Sequence, residues 1–124
     1  MHKVDAANQT LDQLLSNPKA DGTAILGAAS LYAALGNIQK LEAALEKLTK
    51  VMPDSPEAWY DLAALKSQLG KLPDSMAALR QALDLSAKRL QRNPKAADLV
   101  ATARKEDRFN PLRQMPEFNK LVPP

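Results

Sequence analysis

The feature that most constrains this chain is a period. Residues 22–55 and 56–89 align without a gap, and like falls on like: Ala29 on Ala63, Gly36 on Gly70, Ile38 on Leu72, Leu45 on Leu79 and Val51 on Leu85. A self-similarity of 34 residues with a glycine near the middle of each copy predicts two helices per unit. Such units stack so that each covers its neighbour's apolar face. Composition agrees. The chain holds 21 alanines and 20 leucines, strong helix formers, against two Phe, two Tyr and one Trp. A β-sandwich or barrel would need more aromatic and β-branched residues.

Local signals place the helices. Ser55-Pro56-Glu57 reads as a helix start, with serine at the N-cap, proline at the first helical position and an acid in the first turn. Trp59, Leu62, Ala63, Lys66 and Leu69 then recur at spacings of three and four, an apolar stripe interrupted only by Lys66. Gly70 ends that helix and Pro73-Asp74 opens the next, whose stripe is Met76, Leu79, Leu83, Ala87 and Leu90. The first copy follows the same plan: Asp21 as cap, helices near 22–35 and 38–51, and Pro53 as terminator.

These residues resemble the tetratricopeptide repeat, a 34-residue helix-turn-helix. Residues 56–89 carry its pattern through Trp59, Leu62, Ala63, Gly70, Leu72, Ser75, Leu79, Ala82 and Leu85, and depart from it at Lys66 and Ala87. Residues 22–55 carry it through Ala29, Tyr32, Gly36, Ile38, Leu45 and Pro53. Leu41 and Leu48 stand where small residues usually let the helices approach, so a wider packing of that pair is expected. The resemblance implies an all-α fold, a right-handed superhelix of antiparallel helix pairs (an α-solenoid) closed by C-terminal capping helices.

Four segments follow. Residues 1–20 keep the apolar positions of a second helix through Val4, Ala7, Leu11 and Leu14. They read either as half of a preceding repeat in a larger protein or as an N-terminal capping helix. Residues 21–55 form the first repeat. Residues 56–91 form the second, its last helix extended because Ala87 replaces the terminating proline. Residues 92–124 form a capping helix over 94–105 and a tail. In that tail Phe109, Leu112, Met115, Phe118 and Leu121 recur every three residues, broken by Pro111 and Pro116, the mark of short helical turns over a last apolar face. The tail is also similar to those that follow repeat arrays in bacterial proteins.

The sequence offers little chemistry. There is no cysteine, and the one histidine, His2, lies at the chain's start. No phosphate loop, nucleophile–base pair or metal-ligand cluster occurs, so neither catalysis nor a cofactor is expected. The carboxylate pairs Glu42/Glu46 and Glu57/Asp61 read as ordinary helix surface. The start of the chain lacks the apolar core of a signal peptide, and no apolar run is long enough for a membrane span, which suggests a cytoplasmic setting.

Binding is the class left. The resemblance implies a concave groove lined by the first helix of each repeat. Helical geometry puts Thr23, Leu26, Gly27, Ser30, Ala33 and Ala34 on that face in one copy, and Glu57, Tyr60, Asp61, Ala64, Ser67 and Gln68 in the other. Tyr60 is the natural anchor, a large ring with a polar tip. Family members that clamp the carboxylate of chaperone tails need Lys and Asn where this chain has Leu26, Ser30 and Asp61, so that activity is not expected. The primary reading is a scaffold that holds a protein or peptide. The alternative is an accessory or regulatory C-terminal domain of a larger enzyme or membrane protein. A further alternative comes from charge. Residues 1–62 hold five Lys/Arg against eight Asp/Glu, a net of −3, and residues 63–124 hold twelve against six, a net of +6. Lys88, Arg89, Arg92 and Lys95 are the residues with which the basic half would meet an anionic partner such as RNA.

Overall fold

The computed structural model describes Gln13 and residues 21–123. The half repeat or capping helix expected over 1–20 lies outside the described residues. Among these every regular element is helical: α1 (Gly22–Ala34), α2 (Ile38–Val51), α3 (Pro56–Gln68), α4 (Leu72–Arg92), α5 (Leu99–Arg104), a 3-10 helix (Asp107–Leu112) and α6 (Pro116–Leu121). The chain divides into two compact units, Met1–Pro53 and Asp54–Pro124.

In the first unit α1 and α2 pack together as a hairpin. Asp21 caps α1 by accepting from the Ala24 amide at 2.8 Å. Ile25, Ala28, Ala29 and Tyr32 are buried on one side of α1, and Ala44, Leu45 and Leu48 on one side of α2. At the start of α1, Gly22 leaves room for the Met52 side chain, whose sulfur lies 2.1 Å from where a Cβ would stand.

The turn between the helices is the same in both units, and it accounts for the spacing of the two glycines. Gly36 has φ +72° and Gly70 φ +78°, a left-handed conformation that only glycine adopts freely. Gly36 N–H donates to the Ala33 carbonyl and Asn37 N–H to the Tyr32 carbonyl. Gly70 N–H donates to Ser67 and Lys71 N–H to Lys66 in the same pattern. These paired bonds satisfy the last carbonyls of the first helix while the chain reverses. Asn37 serves twice, since its side chain also caps α2 by accepting from the Lys40 amide.

In the second unit α3 and α4 form the hairpin, and the elements that follow them fold onto it. Ser55 accepts from the Ala58 amide and Pro56 opens α3. Leu62, Ala63 and Leu65 of α3, and Met76, Ala78, Leu79, Ala82 and Leu83 of α4, are buried in this unit. Two serines are buried there. Ser75 Oγ donates to the Ala63 carbonyl at 2.6 Å, tying α4 to α3. Ser86 Oγ accepts from the Leu99 amide at 3.2 Å and donates to the Ala97 carbonyl, holding the start of α5.

One expected helix is shorter than the sequence suggested. The capping helix expected over 94–105 is confined to Leu99–Arg104. Asn93 breaks α4 in extended backbone, as a residue before proline tends to, and its side chain accepts from the Lys95 amide. Asp98 then caps the new helix by accepting from Val100 N–H. Two polar side chains that bond the backbone locally outcompete a helix through this segment.

Candidate partner-binding site

The residues expected to line a groove fall into two groups with different fates. On α1, Thr23, Gly27, Ser30, Ala33 and Ala34 are exposed, and Leu26 is 48% exposed. On α3, Glu57 and Gln68 are exposed and Asp61 is half-buried. Tyr60, Ala64 and Ser67, however, are buried, with 5%, 0% and 1% of their surface accessible. The expectation that these three face open solvent is therefore corrected: the chain's own tail covers that side of α3.

The tail is held there by a defined set of contacts. The 3-10 helix packs on α3 and places Phe109 edge-to-face with Tyr60, ring centroids 5.3 Å apart. Phe118 follows at 6.1 Å from Phe109. Phe109, Leu112 and Phe118 are all fully buried, while Met115 and Leu121, which share the three-residue apolar period, are half-buried. Arg113 locks the strap: its Nη2 donates to the carbonyls of Ala103 and Glu106, its Nε donates to the Asn110 side chain, and its guanidinium lies 5.2 Å from the centre of the Phe118 ring.

A small polar cluster closes the edge of this contact. The Tyr60 hydroxyl donates to Glu106 at 3.4 Å, and Arg108 Nε donates to the same carboxylate. Burial, with Glu106 beside it, pushes the Tyr60 phenol up to about 12. The bond from Arg108 holds Glu106 below its usual range. Asp61 is raised, because burial outweighs the attraction of Arg108. Burial and neighbouring charge thus account for these shifts at the edge of a structural contact.

The basic residues are also redistributed. Arg80 pairs with Glu117 at 3.6 Å, Lys88 with Asp84 at 3.1 Å, and Arg104 Nε donates to the Pro123 carbonyl at 2.6 Å. Much of the positive charge of this half thus serves the fold. Lys88, Arg89 and Arg92 nevertheless converge, lining one pocket of about 410 Å³ with Asp54, Pro56 and Leu85. Lys95 is not among the lining residues. Sequence spacing identified the basic cluster but not the apolar floor, because Pro56 and Leu85 come from different helices. Among the described residues no group of three or more His, Cys, Asp or Glu could hold a metal, and no helix is long and apolar enough to cross a membrane.

Helix hairpins of one period, each closed by the same glycine turn, define a helical-hairpin repeat protein. Residues 56–89 match the family model of the tetratricopeptide repeat, and this segment is a repeat of that family. Repeats of this family generally mediate contacts between proteins. No curated protein and no solved structure gives a significant match to the chain.

Proposed function

We propose that the chain is a protein-interaction module that holds a short turn-forming segment of a partner against the outer face of α1, without catalysis of its own. The observation that supports this reading is the contrast between two equivalent helix faces. On α3 the face around Tyr60 and Ala64 holds an apolar turn, Phe109 to Leu112, supplied by the chain itself. On α1 the face in the same register is open, with Leu26 ringed by Thr23, Ser30 and Ala33. Small residues let a partner backbone approach closely, and covering Leu26 is worth on the order of 1 kcal/mol. A partner segment with apolar residues three apart, as Phe109 and Leu112 are, suits such a face.

The test is a crosslinking pull-down with a photoreactive residue in place of Ser30, followed by Leu26→Lys. The proposal requires that the partner crosslinked at position 30 be lost on Leu26→Lys while the helical circular dichroism stays unchanged. Retention of that partner at full yield would overturn the assignment to α1.

A further inference from the structure

The pocket formed by α4 and the first turn of α3 lies apart from the face that the tail covers, since none of its lining residues is Tyr60, Ala64 or Ser67. Its central feature is Arg89. Nη1 of Arg89 donates to Glu57 at 2.6 Å, whereas Nε and Nη2 are buried and meet no acceptor among the described residues. Nε and Nη2 together form the edge of a guanidinium that takes a carboxylate in two parallel hydrogen bonds. A charged edge kept dry and unbonded is costly, and most buried polar groups avoid that state. Arg92 stands on the same wall and makes no ion pair among the described residues. Lys88 adds a third positive group, shared with Asp84.

We propose that this pocket binds the carboxylate of an acidic peptide segment, with an apolar neighbour of that carboxylate resting on Leu85 and Pro56. As the peptide enters, the Arg89 guanidinium turns outward and exchanges its unbonded edge for two charge-assisted bonds, with Arg92 and Lys88 completing the field. Asp54 sets the charge of the ligand. With Glu57 on Arg89, Asp84 on Lys88 and Asp54 in the wall already offsetting the three cations, the pocket suits a single negative charge better than the two of a phosphate dianion. Nucleic acid is disfavoured further, because no aromatic side chain lines the pocket to stack a base. The site goes beyond the α1 reading and does not depend on it.

The full chain, labelled with ¹⁵N, is titrated by NMR with three probes: acetyl-Leu-Glu-Leu-amide, the same peptide with Gln for Glu, and inorganic phosphate. The glutamate peptide should shift the Arg89 side-chain Nε–H and the backbone amides of residues 88–92. It should bind roughly tenfold more tightly than the glutamine peptide and more tightly than phosphate. Arg89→Lys keeps the charge but not the two-pronged edge, and should weaken the glutamate peptide by roughly tenfold. Arg92→Ala, at an exposed position, should weaken it severalfold without disturbing the spectrum elsewhere. Absence of these shifts, equal binding of the Glu and Gln peptides, tighter binding of phosphate, or binding that survives both variants would each overturn the proposal.

Discussion

Phe109 stands at 75° to Tyr60 with their ring centroids 5.3 Å apart, so a residue of the C-terminal tail and a residue of α3 seal one another from solvent. Edge-to-face geometry of this kind adds to the area the two rings bury. It also changes what a mutation at Tyr60 reports. Tyr60→Ala would loosen the tail before it affected any partner.

Phe109→Ala should destabilise the second unit by about 3–5 kcal/mol, the usual cost of emptying a buried aromatic site. Urea unfolding followed by circular dichroism measures this. Deleting residues 107–124 should go further and expose the buried side of α3 and α4, giving aggregation in light scattering instead of a new binding activity. A truncated chain that stays monomeric with unchanged stability would show that the tail is no part of the core.

Alkaline pH should act through Tyr60. Its pKa is raised from 10.0 when unfolded to about 12 when folded, so the folded state holds the proton more tightly. The contribution is constant below pH 10 and is lost as pH rises toward 12, by up to about 2 kcal/mol, less for solvent screening. Tyr60→Phe should cost at most about 1 kcal/mol at neutral pH, since the bond to Glu106 is long, and should flatten the alkaline decline relative to the parent.

At acid pH two carboxylates pull in opposite directions. Glu106 is lowered from 4.5, so the stability it contributes is present above that value and disappears as pH falls. Asp61 is raised from 3.8, so its contribution is fully present below that value and is lost as pH rises. Asp61→Asn should therefore stabilise the chain at neutral pH and lose this advantage in acid. Thermal melts of both proteins across that range test the sign.

Gly36→Ala and Gly70→Ala should each cost about 1–2 kcal/mol, the strain of an L side chain in left-handed backbone. Beyond the glycine and its two chain neighbours no atom lies within 4 Å of the added Cβ at either site, so backbone conformation sets the cost. Unfolding curves for the two variants should shift alike. A near-zero cost at either position would mean that its turn relaxes.

Much of this fold was legible in the sequence because its signals are local. Asp21 and Ser55 announce helix starts through bonds to residues three positions on, Pro56 does so by its fixed φ at the first helical position, and Gly36 and Gly70 stand at positive φ. The reading stopped where side chains bond the backbone in ways that compete with a helix. Asn93 and Asp98 shorten α5, and Ser86 reaches Leu99 across 13 positions. The candidate site was half legible. Helical spacing put Tyr60, Ala64 and Ser67 on one face but could not say that residues 106–118 return to cover it, since that contact joins positions nearly fifty apart. The basic cluster was visible through its spacing on α4, while Asp54 and Pro56 reach the same pocket only through the hairpin.

Ser75 has one more consequence. A seam rich in alanine and leucine is nearly uniform along its length, so its apolar contacts alone specify the alignment of two helices weakly. The hydroxyl of Ser75, bonded to the Ala63 carbonyl, acts as a detent. Displacing α4 by one turn would strand that hydroxyl among hydrocarbon, a penalty of about 1–3 kcal/mol that the oily contacts alone would not impose. A single oxygen thus reinforces the alignment that the Gly70 turn already sets.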